Sequence, residues 1–239
     1  MTKRAILLAN LGSPDAPTTP AVRRYLNQFL MDPYVIQLPW LLRRMIVSLF
    51  VLPSRPKASA EAYQSVWTTE GSPLIALSEK LKDALKTQVT HPVEMAMRYG
   101  NPPITERLNS LQEQGCERIL IFPLYPQYAA ATTATVNDKA FEALMKMRWM
   151  PAIRSVPPYH DDPAYIDALA SSIHTHLETL DFEPQHIIAS YHGIPQSYFD
   201  KGDPYHCQCQ KTSRLLREHM GWEDGFLLTT FQSRFGPEE

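Results

Sequence analysis

Two groups of residues in the stretch IIASYHGIPQSYFDKGDPYHCQCQKT, Ile187–Thr212, could hold a metal ion or move a proton. One is a single imidazole, His192, at the end of an apolar run. The other, beginning fourteen residues further on, is the compact cluster His206-Cys207-x-Cys209. By ligand type the cluster is the stronger candidate, because thiolates and imidazoles are common ligands of zinc and iron. Its spacing argues the other way. Lys211–Arg217 reads as helix, and two cysteines at i and i+2 of a helix point about 200° apart. A closed zinc site needs four ligands, and an iron–sulfur cluster usually needs four cysteines. The third cysteine, Cys116, opens a strand far upstream. The cluster is therefore expected to be a loop and helix start. By spacing alone, His192 could equally be a hydrogen-bonded structural residue.

What gives His192 weight is the set of elements that must position it. Short aliphatic or β-branched runs predict strands over Arg4–Ala9, Val93–Met97, Arg118–Phe122, Ala152–Val156, His186–Ser190 and Phe226–Thr230. Helices are expected near 20–30, 40–51, 57–67, 73–88, 103–114, 133–148, 162–179 and 208–220. Thr19-Pro20, Ser72-Pro73 and Asp162-Pro163 each place a capping residue before a first-turn proline. Apolar strands separated by helices predict parallel sheets in an α/β fold. The proline-rich turn SVPPYHDDP, Ser155–Pro163, is the expected boundary between a first domain, 1–156, and a second, 157–239. Four predicted strands precede it and two follow, so the second domain is expected to be only partly present over these residues.

Parallel sheets bind ligands outside the carboxyl ends of their strands. Four of these exits carry polar or aromatic side chains in turns made by Gly or Pro: Asn10-Leu11-Gly12-Ser13-Pro14, Arg98-Tyr99-Gly100-Asn101-Pro102, Pro123-Leu124-Tyr125-Pro126-Gln127-Tyr128, and Tyr191-His192-Gly193-Ile194-Pro195. Taken singly, a strand-end tyrosine can be a core residue with its hydroxyl at the surface, and Arg98 can simply pair with a carboxylate. A plain fold does not need such residues at every exit. Arg98, Tyr99, Tyr125, Tyr128 and His192 are expected to line one cleft between the domains. The set is aromatic, weakly charged and free of a Gly-rich phosphate loop, which suits a large flat apolar ligand better than a nucleotide.

With 23 basic and 25 acidic residues and a net charge of −2, the chain has no signature of nucleic-acid binding. Three cysteines make no disulfide framework and fit a reducing compartment. The apolar run before Asn10 is too short for a signal-peptide core, and a cytoplasmic protein is expected. One segment points toward a membrane. LPWLLRRMIVSLFVLP, Leu38–Pro53, is apolar but interrupted by Arg43-Arg44, and falls short of the roughly 20 residues that span a bilayer. It reads either as a buried helix or as an exposed lip that touches membrane or admits a flat ligand.

Along nearly its whole length the chain resembles the ferrochelatases, which insert ferrous iron into protoporphyrin IX to make protohaem. The residues that carry the resemblance are LANLGSPDAP, RRYLNQFLMDPYVIQLP, SRPKASAEAY, GSPL, MRYGNPPI, FPLYPQYAAATT, SYHGIP, GDPY and FQSRFGP, in that order. Any one is weak and nine in order are specific, with the likeness strongest to Gram-negative bacterial members. The resemblance implies two Rossmann-like domains, each a four-stranded parallel sheet flanked by helices, the second incomplete here. It implies that His192 is the metal-site histidine, as iron ligand or as acceptor of pyrrole protons. It places Tyr125 and Arg98 on the opposite side of the porphyrin, where they help deliver iron. Leu11 contacts the macrocycle, Tyr63 and Ser72 hold propionates, and Arg55 stands where the family often has an arginine for that task. Leu38–Pro53 becomes the lip of the pocket, peripheral to the inner membrane in some members.

The implied chemistry has a physical rationale. Two pyrrole protons must leave and the ring must bend so that nitrogen lone pairs point outward. A neutral imidazole, with an ordinary pKa of about 6.5, can bind Fe²⁺ or take a proton near neutrality. Walls that fit a bent ring better than a flat one lower the barrier by differential binding. No bound cofactor is required, iron being a substrate, and a [2Fe–2S] cluster is not expected because most of its cysteines would come from later sequence. The metal-site glutamate that partners the histidine also follows FQSRFGP in the family, so these 239 residues alone are expected to insert iron poorly. Two other readings stay open: a coproporphyrin III ferrochelatase, and a non-catalytic porphyrin or haem carrier.

Overall fold

The computed structural model describes residues 2–233, and the chain divides into two compact units: Met1–Tyr125 with Ala130–Val156, and Pro126–Ala129 with Pro157–Glu239. The end of the FQSRFGP motif, from Arg234, lies outside the described residues.

The first unit is built on four parallel strands in the order β2-β1-β3-β4: β1 (Arg4–Ser13), β2 (Val93–Gly100), β3 (Arg118–Pro123) and β4 (Ala152–Ser155). Around them lie α1 (Thr19–Leu30), α2 (Trp40–Ile46), α3 (Leu52–Val66), α4 (Pro73–Gln88), α5 (Ile104–Glu113) and α6 (Thr135–Leu144). The core is the face that β1 and β3 turn toward α5 and α6. Leu7, Ala9, Ile104, Leu108, Leu111, Ile121, Val136 and Ala140 are almost wholly withdrawn from solvent there. Each large aliphatic side chain so buried contributes about 1.5–3 kcal/mol relative to exposure. β1 reads as a continuous apolar run because it is central, paired with β2 on one side and β3 on the other.

β1 and β2 run further than the apolar runs predict, to Ser13 and Gly100 instead of Ala9 and Met97. Two glycines make the extension possible. Gly12 has φ +107° and is paired with Tyr99; a Cβ on it would stand 1.7 Å from the Tyr99 carbonyl oxygen. Gly100, with φ +79°, would bring a Cβ to 2.6 Å from the Ser13 carbonyl oxygen. Only a residue without a side chain allows the two backbones so close an approach. The strands therefore carry Leu11, Arg98 and Tyr99 to the far end of the sheet.

The lip departs from expectation in detail. α2 passes through a π turn, Val47–Val51, directly into α3, which starts at Leu52 rather than near residue 57. Pro53 sits in the first turn of α3, where no N–H is needed, and Pro56 lies inside the helix. The Ser54 hydroxyl donates to the Phe50 carbonyl at 2.6 Å, covering an acceptor at this junction. Of the arginine pair, Arg43 is buried at 5% exposure, its Nη1 donating to the Ile36 and Leu38 carbonyls, while Arg44 donates to Asn27 Oδ1. Trp40, Leu41, Leu42, Met45, Leu49 and Phe50 face outward, Leu41 at 65% and Phe50 at 70% exposure. The outward side chains of this segment are thus exposed and not buried in the core. No helix among the described residues is long and apolar enough to cross a membrane.

The second unit contains α7 (Pro163–Leu177), β5 (Ile187–His192), α8 (Gln196–Asp200), α9 (Tyr205–Met220) and β6 (Leu227–Gln232). β5 and β6 pair in parallel from Ile187 with Leu227 to His192 with Gln232. Ala170, Leu216 and Leu227 form its core, with Ile173, Ile187, Ala189 and Trp222 packed around them. The other face of this pair, with Ile188 and Leu228, is exposed among the described residues. Pro126–Ala129 belongs to this unit through side chains of α9: Gln208 Oε1 accepts from the Tyr128 amide at 2.7 Å, and Gln127 Nε2 donates to Thr212 Oγ1 at 3.0 Å. The chain thus changes unit at residues 125, 129 and 156.

Of the three expected caps only one bonds as predicted, with Asp162 Oδ1 accepting from the Ala164 amide at 2.9 Å. Thr18, not Thr19, is the N-cap of α1, and neither it nor Ser72 gives a side-chain cap bond. α8 has no predicted counterpart; it is five residues long and starts after the Gly193–Pro195 turn, which reads as loop.

Candidate functional site

At the carboxyl end of the first sheet, the side chain of Arg98 is drawn inward by a carboxylate. Asp32, just after α1, has a side chain only 1% exposed and accepts from Arg98 Nη2. The same oxygen accepts from the Tyr99 hydroxyl at 2.8 Å and the Thr135 hydroxyl at 2.5 Å, while its other oxygen takes the Tyr34 amide at 2.8 Å. Arg98 Nε donates to the carbonyl and hydroxyl oxygens of Thr135, at 3.0 and 2.6 Å. The guanidinium also lies 4.5 Å from the centre of the Tyr99 ring, a cation–π distance. So Arg98 does pair with a carboxylate, and the pairing leaves its Nη1 with no hydrogen bond among the described residues.

Tyrosines gather beside it. Tyr99 and Tyr25 meet edge to face at 6.4 Å, and Tyr25 meets Tyr63 of α3 at 6.3 Å. Leu11 and Phe29 pack on the same cluster. Tyr125 lies within the electrostatic reach of Tyr99, Tyr25 and Arg98, and burial pushes its hydroxyl well above its ordinary pKa. Burial likewise raises Tyr25 and Tyr99, so each of these phenols stays protonated and able to donate. The Tyr125 hydroxyl, however, has no hydrogen-bond partner among the described residues, and the same is true of the buried Ser13 and Thr133 hydroxyls.

Leu11, Arg98, Tyr125 and Tyr63 are therefore gathered around one aromatic cluster. Arg55 and Ser72 are not part of that hydrogen-bonded set. Arg55 is exposed on α3, and Ser72 is buried at the N-terminus of α4. Sequence reasoning did not single out Asp32, Thr135 or Tyr25. The available signal was an acid in MDPY, between a helix and the apolar lip, where charge is out of place.

His192 stands in the second unit, exposed at the last position of β5. Its Nδ1 lies 2.6 Å from the Gly193 carbonyl oxygen. A carbonyl only accepts, so Nδ1 carries the hydrogen and, in the neutral ring, Nε2 keeps its lone pair. Fixing one ring nitrogen in this way aims the other, as in metal-ligating histidines generally. Gly193 is itself held by its amide on the Gln232 carbonyl at 2.6 Å.

The rival cluster is arranged for packing. α9 begins at Tyr205, ahead of both cysteines, instead of near residue 208. Cys207 is exposed and Cys209 is buried. Burial pushes the Cys209 thiol up to about 11, so it stays protonated at neutral pH and is a poor metal ligand. The His206 ring stacks on Phe231 at 4.9 Å and meets the edge of Phe199 at 5.8 Å. Among the described residues no three His, Cys, Asp or Glu side chains converge as a metal site.

Comparison with known proteins bears on this arrangement. A sequence model of the family described as Ferrochelatase matches residues 3–239. Ferrochelatase of Rhizobium meliloti (strain 1021) is 57% identical over 243 residues, covering 99% of this chain and 72% of its own. Ferrochelatase of Agrobacterium fabrum is 55% identical, with 99% and 71% covered. Among solved structures, SirB from Bacillus subtilis with Fe³⁺ superposes with a TM-score of 0.56 at 14% identity, over 99% of this chain and 68% of that one. That last likeness concerns the fold.

Proposed function

The chain belongs to the ferrochelatase family, and from that premise we propose that it inserts Fe²⁺ into protoporphyrin IX to form protohaem, with His192 at the metal side and Arg98 and Tyr125 on the opposite face. The observation that carries the reading is 57% identity to a ferrochelatase across 99% of the chain. In the reaction two pyrrole N–H bonds break, two protons leave, and four nitrogens close around the metal. The Nε2 lone pair of His192, left available because Nδ1 donates to Gly193, can take a pyrrole proton or hold the iron. Leu11 and the Tyr25–Tyr63–Tyr99 cluster offer an apolar wall for the macrocycle. Tyr63, Ser72 and Arg55 would receive the propionates. Of these, only Arg55 brings a positive charge, and it is free to reach because it is exposed.

Anaerobic incubation with protoporphyrin IX and Fe²⁺ or Zn²⁺, followed by absorbance, tests the reading on the protein as its host makes it. Conversion of the free-base spectrum to that of the metalloporphyrin is expected, faster than with coproporphyrin III. Absence of insertion with either metal and either porphyrin would sink it.

We infer further that the lip meets a membrane surface. With Arg43 folded onto the Ile36 and Leu38 carbonyls, the outward side of α2 and the π turn is dominated by Trp40, Leu41, Leu42, Met45, Leu49 and Phe50. Apolar burial rather than charge would then drive attachment. Co-sedimentation with vesicles is expected to depend little on salt, and to fall at least about fivefold in a Leu41→Ser/Phe50→Ser double variant, since each side chain buries on the order of 1.5–3 kcal/mol. Unchanged sedimentation of that variant would count against the lip.

A further inference from the structure

Resting on the iron-insertion reading, we propose that Asp32 is a positioning residue for metal entry: it fixes Arg98 through Nη2 and cancels its charge, so that a divalent cation can approach a guanidinium that would otherwise repel it. Asp32 is the only buried carboxylate among the described residues, and four donors converge on it. Three of them come from other elements, Arg98 and Tyr99 on β2 and Thr135 on α6, so the group ties the carboxyl end of the sheet to the segment after α1.

Sign decides what such a group can do. An arginine on the route of Fe²⁺ is electrostatically unfavourable, since like charges repel and partial burial leaves the repulsion poorly screened. Arg98 is 11% exposed at the side chain, so solvent does little of the screening. A carboxylate bonded to it makes the pair neutral as seen from a few ångströms away. What survives is directional: Nη1 with its two N–H bonds uncommitted among the described residues, within electrostatic reach of the Tyr125 hydroxyl, which has no hydrogen bond among them either. A pair of donors without net positive charge can orient the water shell of a metal ion through its oxygens and still let the ion pass. Thr135 supports the same geometry, holding Nε with both its carbonyl and its hydroxyl oxygen, so the guanidinium plane is fixed at two of its nitrogens.

A merely structural Asp32 and a charge-cancelling one predict different kinetics. In Asp32→Asn the KM for Fe²⁺ is expected to rise at least about tenfold, the size of one poorly screened charge, with the KM for protoporphyrin within about twofold of the parent. The rise should shrink as ionic strength is raised. The decisive variant is Asp32→Asn/Arg98→Gln, in which neither charge remains. Its kcat falls because Arg98 is lost, but its KM for Fe²⁺ is expected to return to within about threefold of the parent, a strongly non-additive outcome. The double variant also guards against misfolding, because it leaves no uncompensated buried charge. Equal rises in both KM values for Asp32→Asn overturn the proposal, as does a double variant with an iron KM as high as the single. An active parent whose iron KM ignores Asp32→Asn overturns the role of Asp32 alone. An inactive parent overturns the functional reading and this proposal with it.

Discussion

Replacing His192 with alanine is expected to lower iron insertion by about 10³-fold, within the range a positioned acid–base group contributes, while leaving the fold intact. The side chain is exposed at the end of β5, and among the described residues its hydrogen bond is to the neighbouring Gly193 carbonyl. Its loss therefore removes little packing, and stability should stay within about 0.5 kcal/mol of the parent. Porphyrin affinity, followed by quenching of porphyrin fluorescence, is expected to change little, because the walls proposed for the ring are other residues. Imidazole added to the solution should restore part of the rate, since what is missing is a lone pair and not a scaffold. Insertion within tenfold of the parent would remove His192 from the reaction.

The second large effect concerns stability. Gly12→Ala is expected to cost about 4 kcal/mol or more, at the extreme of single substitutions. The added Cβ meets a backbone oxygen at 1.7 Å, and a backbone oxygen in a paired strand has no rotamer by which to retreat. Gly71 supplies the control. It also has positive φ, +95°, but a Cβ there meets nothing within 4 Å. Gly71→Ala should therefore show only the conformational cost, roughly 1–2 kcal/mol. Urea unfolding of the two variants separates contact from backbone preference. A Gly12 variant no less stable than the Gly71 variant would show that β1 and β2 can part at no great cost.

Much of this architecture is legible in the residues because its signals are local. Apolar runs bounded by turns gave six strands in the right places, and the alternation with helices gave their parallel pairing. The errors have local causes too. Asn10 and Arg98 look like strand ends because they are polar, yet the strands continue past them on Gly12 and Gly100. Pro53 and Pro56 look like breaks, yet one occupies a first turn and the other is accommodated inside α3. The candidate site was legible where a residue stood at a strand exit, as Arg98, Tyr125 and His192 do. Asp32 was not, since its meaning lies in three partners 66 to 103 residues away. A carboxylate in a loop is ordinary until tertiary structure removes the water around it.

The short excursion Pro126–Ala129 has a bearing on how the molecule can be cut. A chain ending at Val156 would contain every strand of the first sheet and its whole aromatic cluster. It would also contain Gln127 and Tyr128 without Thr212 and Gln208, the groups that hold them. Tyr125 precedes that excursion and the π turn Ala130–Ala134 follows it, so a cut at Val156 would leave the loop between them without those two side-chain bonds. The two halves are modular in packing but not in sequence: whatever recombination or excision separates them must break a loop that packs with one half while its flanks belong to the other.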